Sequence, residues 1–182
     1  MKALGICGSP RKGNTEWMLQ KLLEKISSRG AETELIRLRQ LDIRNCKGCL
    51  SCEKGRLDRT CICKIKDDMQ EIYQKLLQAD VLILGTPVYF ELLSGLLKTF
   101  LDRTCPIWPK LRGKLIAGIA VAEEGTGKAI DNLKTYALVC DLQWVGHITA
   151  LAKTPVQVAK QRDIEKRLDR LAKKLVGSLK SD

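Results

Sequence analysis

The sequence predicts an α/β fold, a doubly wound five-stranded parallel sheet, on three observations. Short apolar runs recur at about residues 2–7, 33–38, 80–85, 114–122 and 143–150, with helical patterns between most of them, the rhythm of β/α/β units joined by right-handed crossovers. Two of the runs, Val81-Leu82-Ile83-Leu84 and Leu115 to Val121, are apolar on both sides, as strands covered by helices on both faces are. The 182 residues suit one domain, of a size that buries about 70% of its unfolded surface and leaves little room for a second.

The first strand, Ala3-Leu4-Gly5-Ile6-Cys7, runs into Gly8-Ser9-Pro10-Arg11-Lys12-Gly13-Asn14-Thr15, and Met18, Leu19, Leu22, Leu23 and Ile26 then mark one face of a helix. This is the layout of a phosphate cradle. Small residues let the backbone turn sharply, and the free N–H donors and dipole of the following helix attract an anion. Ser9, Asn14 and Thr15 add hydrogen bonds, and Arg11 and Lys12 add charge. Gly8 and Gly13 stand five apart, as in GxxxxGK[ST], but Asn14 occupies the lysine position. That argues against ATP or GTP, and the absence of GxGxxG removes the dinucleotide fingerprint. A single terminal phosphate suits the loop best; an ordinary Gly/Pro turn is the alternative.

Cys46-Lys47-Gly48-Cys49-Leu50-Ser51-Cys52, with Cys61-Ile62-Cys63 beyond it, lies in a loop spanning about residues 44–66 that has neither helical nor strand periodicity. Loops that long in compact domains are usually functional or disordered. CxxCxxC lets three thiolates converge on one centre, and a later cysteine completes iron-sulfur ligation. Zinc, which favours two separated CxxC knuckles, and unliganded or redox-paired thiols are the alternatives. Cys7, Cys105 and Cys140 fall in apolar patterns and read as small core residues.

Met69, Ile72, Tyr73 and Leu76 mark a second helical face, and Leu93, Leu96, Leu97, Phe100 and Leu101 a third. Between them the strand at 80–85 runs into Gly85-Thr86-Pro87-Val88-Tyr89-Phe90, where proline stiffens the chain and two aromatic rings are placed to wall a flat ligand or to pack a core. The strand at 114–122 ends in Ala122-Glu123-Glu124-Gly125-Thr126-Gly127, positioned to close over the same pocket. Lone His147 in the last strand reads as structural. In the closing helix Ile164, Leu168, Leu171 and Leu175 share a face, and Asp163 with Arg167 and Asp169 with Lys173 are favourable pairs.

Loops at the carboxyl ends of such strands meet at the topological switch point, where ligands bind. A phosphate at the first loop and a flat heterocycle across the other two describe flavin mononucleotide, FMN. The net charge of +11 invites a nucleic-acid reading, yet aromatic residues are only 4% of the chain and the basic residues are dispersed, so a basic surface without nucleic acid is expected. No run approaches the ~18 apolar residues of a membrane span, and the opening residues lack the apolar region and cleavage site of a signal peptide. The expectation is a cytoplasmic protein without membrane attachment, in which eight cysteines serve metal or redox chemistry.

GSPRKGNTE at 8–16, GTPVYF at 85–90, and Ser94-Gly95, Leu97-Lys98 and Asp102-Arg103 downstream resemble the NADPH-dependent FMN reductase family, which has a flavodoxin-like fold. The resemblance implies a single FMN-binding domain over 1–182, with Ser9, Arg11, Asn14, Thr15 and Glu16 around the flavin phosphate and Pro87, Val88, Tyr89 and Phe90 along the ribityl chain and ring. Glu16 equally suits the helix dipole. The cysteine motif ahead of Asp67-Asp68-Met69 is similar to that of the iron-sulfur flavoprotein branch, implying a 4Fe-4S cluster on Cys46, Cys49, Cys52 and Cys63, with Cys61 competing for the fourth place. It also implies a flavin-dependent oxidoreductase using NAD(P)H or a protein donor such as ferredoxin, assembled as a homodimer or homotetramer. A cluster-free NAD(P)H-dependent FMN or quinone reductase and a zinc-bearing binding module are the alternatives.

Overall fold

The computed structural model describes residues 1–54 and 63–179. Five parallel strands, β1 (Lys2–Cys7), β2 (Glu32–Arg37), β3 (Val81–Tyr89), β5 (Leu115–Ala122) and β6 (Gln143–Leu151), form a sheet in the order β2-β1-β3-β5-β6. A sixth, β4 (Leu92–Leu93), pairs antiparallel with the end of β3. The parallel order is that of a flavodoxin-like sheet, whose switch point lies between the first and third strands.

The helices are α1 (Asn14–Ser27), α2 (Ser51–Lys54), α3 (Met69–Gln78), α4 (Gly95–Arg103), α5 (Ala129–Val139) and α6 (Ile164–Ser178). Alternation along β1 divides the core: Leu4 and Ile6 pack with Met69, Phe100 and Leu133 of α3, α4 and α5, while Ala3 and Cys7 pack with Met18, Leu22, Leu168 and Leu175 of α1 and α6. All residues expected on the faces of α1 and α3 are buried. The pairs Asp163–Arg167 and Asp169–Lys173 form at 3.6 and 3.0 Å, and Arg29 of the α1 side reaches Asp169 at 2.5 Å.

Three local expectations are corrected. Leu93 belongs to β4 rather than to the third helix, because Ser94 caps that helix and it begins at Gly95; Leu96 is exposed. The cysteine segment contains one helical turn, α2. Cys7 and Cys140 are buried as expected, but Cys105 is only half-buried. Among the described residues no helix is long and apolar enough to cross a membrane.

Candidate functional site

The site opens where β1 ends beside Gly85 of β3, which continues to Tyr89, so the segment expected as a loop from Gly85 is strand as far as Tyr89. Gly8 N–H donates to the Gly85 carbonyl at 2.8 Å. The Ser94 hydroxyl donates to the Gly8 carbonyl at 2.6 Å and accepts from Leu97 N–H at 3.2 Å as the N-cap of α4. A Cβ on Gly8 would lie 2.7 Å from Leu97 Cβ and 3.1 Å from the Gly85 carbonyl oxygen, so only glycine lets the loop start here without displacing its neighbours.

The resulting cleft is lined by Ser9, Arg11, Gly13, Asn14 and Thr15, by Pro87, Val88 and Tyr89, by Ala122 and Glu123, and by Lys153 and Pro155 beyond β6. Ser9 Oγ donates to the Arg11 carbonyl at 2.7 Å and fixes the turn. Asn14 braces the far wall: its amide nitrogen donates to the Thr154 carbonyl at 2.8 Å, and its oxygen accepts from Val158 N–H at 3.1 Å. No side chain caps α1, whose cap residue is Gly13. The first helical bond runs from Trp17 N–H to Gly13 at 3.0 Å, which leaves the earlier donors for an anion.

Glu16 is placed differently from its neighbours. It is buried outside the cleft lining, with Arg37 Nε and Arg39 Nη1 each 2.7 Å from its carboxylate. Burial opposes its ionisation, but the two guanidinium groups outweigh that and hold it below the usual carboxylate range. It therefore fastens α1 to the end of β2 beneath the cradle.

Tyr89 lines the cleft, whereas Phe90 is 99% exposed and stands outside it. Phe90 and Glu91 have φ of 49° and 65° and form the two-residue turn of the β3–β4 hairpin, which asks both residues for positive φ and usually employs asparagine and glycine. The third loop latches onto this turn: Lys128 N–H donates to the Glu91 carbonyl at 2.7 Å. A Cβ on Gly127, at φ +43°, would stand 2.6 Å from that carbonyl oxygen.

The cysteine segment is pinned at its neck. Asp42 N–H meets Asp68 Oδ2 at 2.7 Å, Arg44 N–H meets Asp67 Oδ2 at 2.9 Å, and an Arg44 guanidinium nitrogen reaches the Lys66 carbonyl. Arg103, fully buried at the end of α4, clamps Asp67 at 2.6 and 3.0 Å and the Arg44 carbonyl at 2.6 Å. Burial works against ionised Asp67, yet Arg103 keeps its carboxyl below the usual range. Cys46 and Cys49 are exposed, and Cys52 and Cys63 half-buried. Burial and the neighbouring Cys105 sulfur push the Cys52 thiol up to about 12. Among the described residues no three metal-ligating side chains converge; Cys61 lies outside those residues. The donor set has the chemistry an iron-sulfur cluster needs, but its described sulfurs are not gathered about one centre.

Sequence reading missed several of these parts. Ser94 carries a detectable signal, a serine just before an amphipathic helix. Arg37, Arg39 and Lys153 carry none, since their partners, Glu16 of α1 and Glu123 after β5, lie far from them in sequence.

The model of the NADPH-dependent FMN reductase family matches residues 1–155. An iron-sulfur flavoprotein of Methanocaldococcus jannaschii is 38% identical over 153 residues, which are 80% of this chain and 76% of that protein. An iron-sulfur flavoprotein of Archaeoglobus fulgidus is 39% identical over 104 residues, 57% of this chain, and the match spans only 49% of the relative's length. Among solved structures, an NADH:FMN oxidoreductase in its apo form superposes with a TM-score of 0.74 at 23% identity, over 100% of this chain and 91% of that one; at that identity the likeness is one of fold. With a family match covering residues 1–155 and relatives this similar along most of its length, the chain belongs to the NADPH-dependent FMN reductase family.

Proposed function

We propose that the chain is an FMN-dependent oxidoreductase of the iron-sulfur flavoprotein type, a single flavin-binding domain that passes electrons between a reduced donor and its flavin. The observation that carries this reading is the uncapped start of α1, opening with the Ser9–Thr15 turn into a cleft at the β1/β3 switch point. The fit favours a terminal phosphate: the cradle has free backbone donors and Arg11, while its lysine position is Asn14, whose side chain is spent on Thr154 and Val158. Ser9, Arg11, Thr15 and the backbone at Asn14 would hold the phosphate, with Glu16 fixing the helix from below. Pro87, Val88 and Tyr89 would flank the ribityl chain and ring, the 88–90 amides would face its polar edge, and Phe90 would stand at the rim. When bound, FMN supplies hydride and single-electron chemistry; the protein binds, orients and tunes it.

Cys46, Cys49 and Cys52, with Cys63 or Cys61, would hold a 4Fe-4S cluster, a reading supported by the CxxCxxC spacing and by the names of the relatives. The donor would be NAD(P)H or a ferredoxin-type protein in a reducing, cytoplasmic setting. A homodimer or homotetramer is supported by exposed apolar side chains, of which Leu92 and Val139 line one groove, a surface that a second copy would cover. A cluster-free reductase is the second reading, favoured by the lack, among the described residues, of three converging metal-ligating side chains. Anaerobic purification followed by an absorption spectrum and iron and acid-labile sulfide analysis tests both. Stoichiometric FMN with about four irons and four sulfides is expected; FMN without iron supports the second reading, and absence of flavin affinity overturns the proposal.

A further inference from the structure

Cys52 turns inward, away from the exposed thiols of its own motif, and its sulfur lies 3.5 Å from that of Cys105, 53 residues along the chain. Cys49 and Cys46 have other contacts: Cys49 Sγ meets the Ser51 hydroxyl at 3.3 Å, and Cys46 Sγ accepts from Gly48 N–H at 3.5 Å. The juxtaposition is built from both sides. Cys105 follows buried Arg103, whose clamp on Asp67 and Arg44 joins the end of α4 to the neck of the cysteine segment. Between them Thr104 is fixed through its hydroxyl to the Leu101 carbonyl at 2.7 Å and the Tyr136 hydroxyl at 3.0 Å. The segment thus rests on a floor that presents a thiol to the third cysteine of CxxCxxC.

We propose that Cys105 is the redox partner of Cys52: in the metal-free segment the two thiols close into a disulfide by exchange with a low-molecular-weight disulfide, RSSR. One protein thiolate attacks RSSR, forming a mixed disulfide and releasing RSH. The second thiolate displaces the remaining RS group, so two protein thiols are oxidised, RSSR is reduced to two RSH, and both protein hydrogens leave with them. The sulfurs need to close from 3.5 Å to ~2.05 Å. The bond takes Cys52 out of the ligand set, so metal loading waits on reduction. That consequence rests on the cluster reading above; the disulfide does not.

The test uses the flavoprotein stripped of metal with a chelator and exposed anaerobically to oxidised glutathione, after which free thiols are alkylated and the protein is digested with trypsin. Peptide 48–54, which holds Cys49 and Cys52, should appear linked to peptide 104–110, which holds Cys105, and fragmentation should place the bond on Cys52. Cys105→Ser and Cys52→Ser should each abolish the linked species, Cys105→Ser with the flavin spectrum retained. A disulfide closed between Cys49 and Cys52, a bond from Cys105 to Cys49, or Cys105 recovered alkylated or as its glutathione adduct would overturn the proposal. In parallel, reconstitution with ferrous iron and sulfide should load the oxidised protein at least fivefold less than protein pre-reduced with a phosphine. If the reduced protein takes no iron either, the cluster reading fails while the peptide map still decides the pairing.

Discussion

Replacing Ser94 by alanine should destabilise the protein and loosen the flavin cradle together, because one hydroxyl serves both. Ser94 is 1% exposed; it caps α4 through Leu97 N–H and satisfies the Gly8 carbonyl, while its own N–H rests on the Thr86 hydroxyl at 2.9 Å and is untouched by the change. Losing an N-cap costs about 1 kcal/mol, and leaving a buried carbonyl without a donor costs about 1–3 kcal/mol. The sum is about 2–4 kcal/mol, and equilibrium unfolding in urea with linear extrapolation reads it as a fall of roughly 1–2 M in midpoint. Ser94→Gly separates the two terms, since glycine caps almost as well as serine and only the Gly8 carbonyl is then orphaned. Because Gly8 begins the turn that faces the anion, FMN affinity measured by fluorescence titration should weaken by at least fivefold in both variants. A Ser94→Ala protein within about 0.5 kcal/mol of wild type, with unchanged FMN affinity, would refute this reasoning.

Glu16→Gln removes the charge between Arg37 and Arg39 and should cost ~3 kcal/mol at pH 7. The folded carboxyl titrates below its unfolded value, so its stabilisation is complete above an unfolded pKa of about 4.3 and disappears as pH falls through the lower folded value. The wild-type advantage in denaturant midpoint should therefore shrink below about pH 4, and a gap independent of pH would contradict the assignment. Phe90→Gly relieves a left-handed backbone at φ 49° and should raise thermal stability by about 1 kcal/mol; a loss of stability would mean that the exposed ring is packed in solution, as against a second copy.

Periodicity sufficed for the parallel strands and the α1, α3 and α6 faces because each is specified by residues a few positions apart. The cradle was legible for the same reason: Gly8, Ser9, Gly13 and the first turn of α1 form one continuous segment. Phe90 and Glu91 gave no warning of a hairpin, since neither is a usual residue for positive φ and the turn is held by pairing of Val88 with Leu93 and by the Lys128 bond. Arg37 and Arg39 meet Glu16 only because β2 lies beside β1. Cys105 reads as core beside Pro106, Ile107 and Trp108, yet its sulfur lies 3.5 Å from that of Cys52, and no local pattern reports a contact between segments so far apart.

The cradle's claim to a lone phosphate is tested most directly by titrating the apoprotein, anaerobically, with FMN and with riboflavin, which differ only in that group. FMN should bind one per chain and at least ~100-fold more tightly than riboflavin, about 2.7 kcal/mol assigned to the turn and the start of α1. Equal affinities, or no binding of either, would contradict the account.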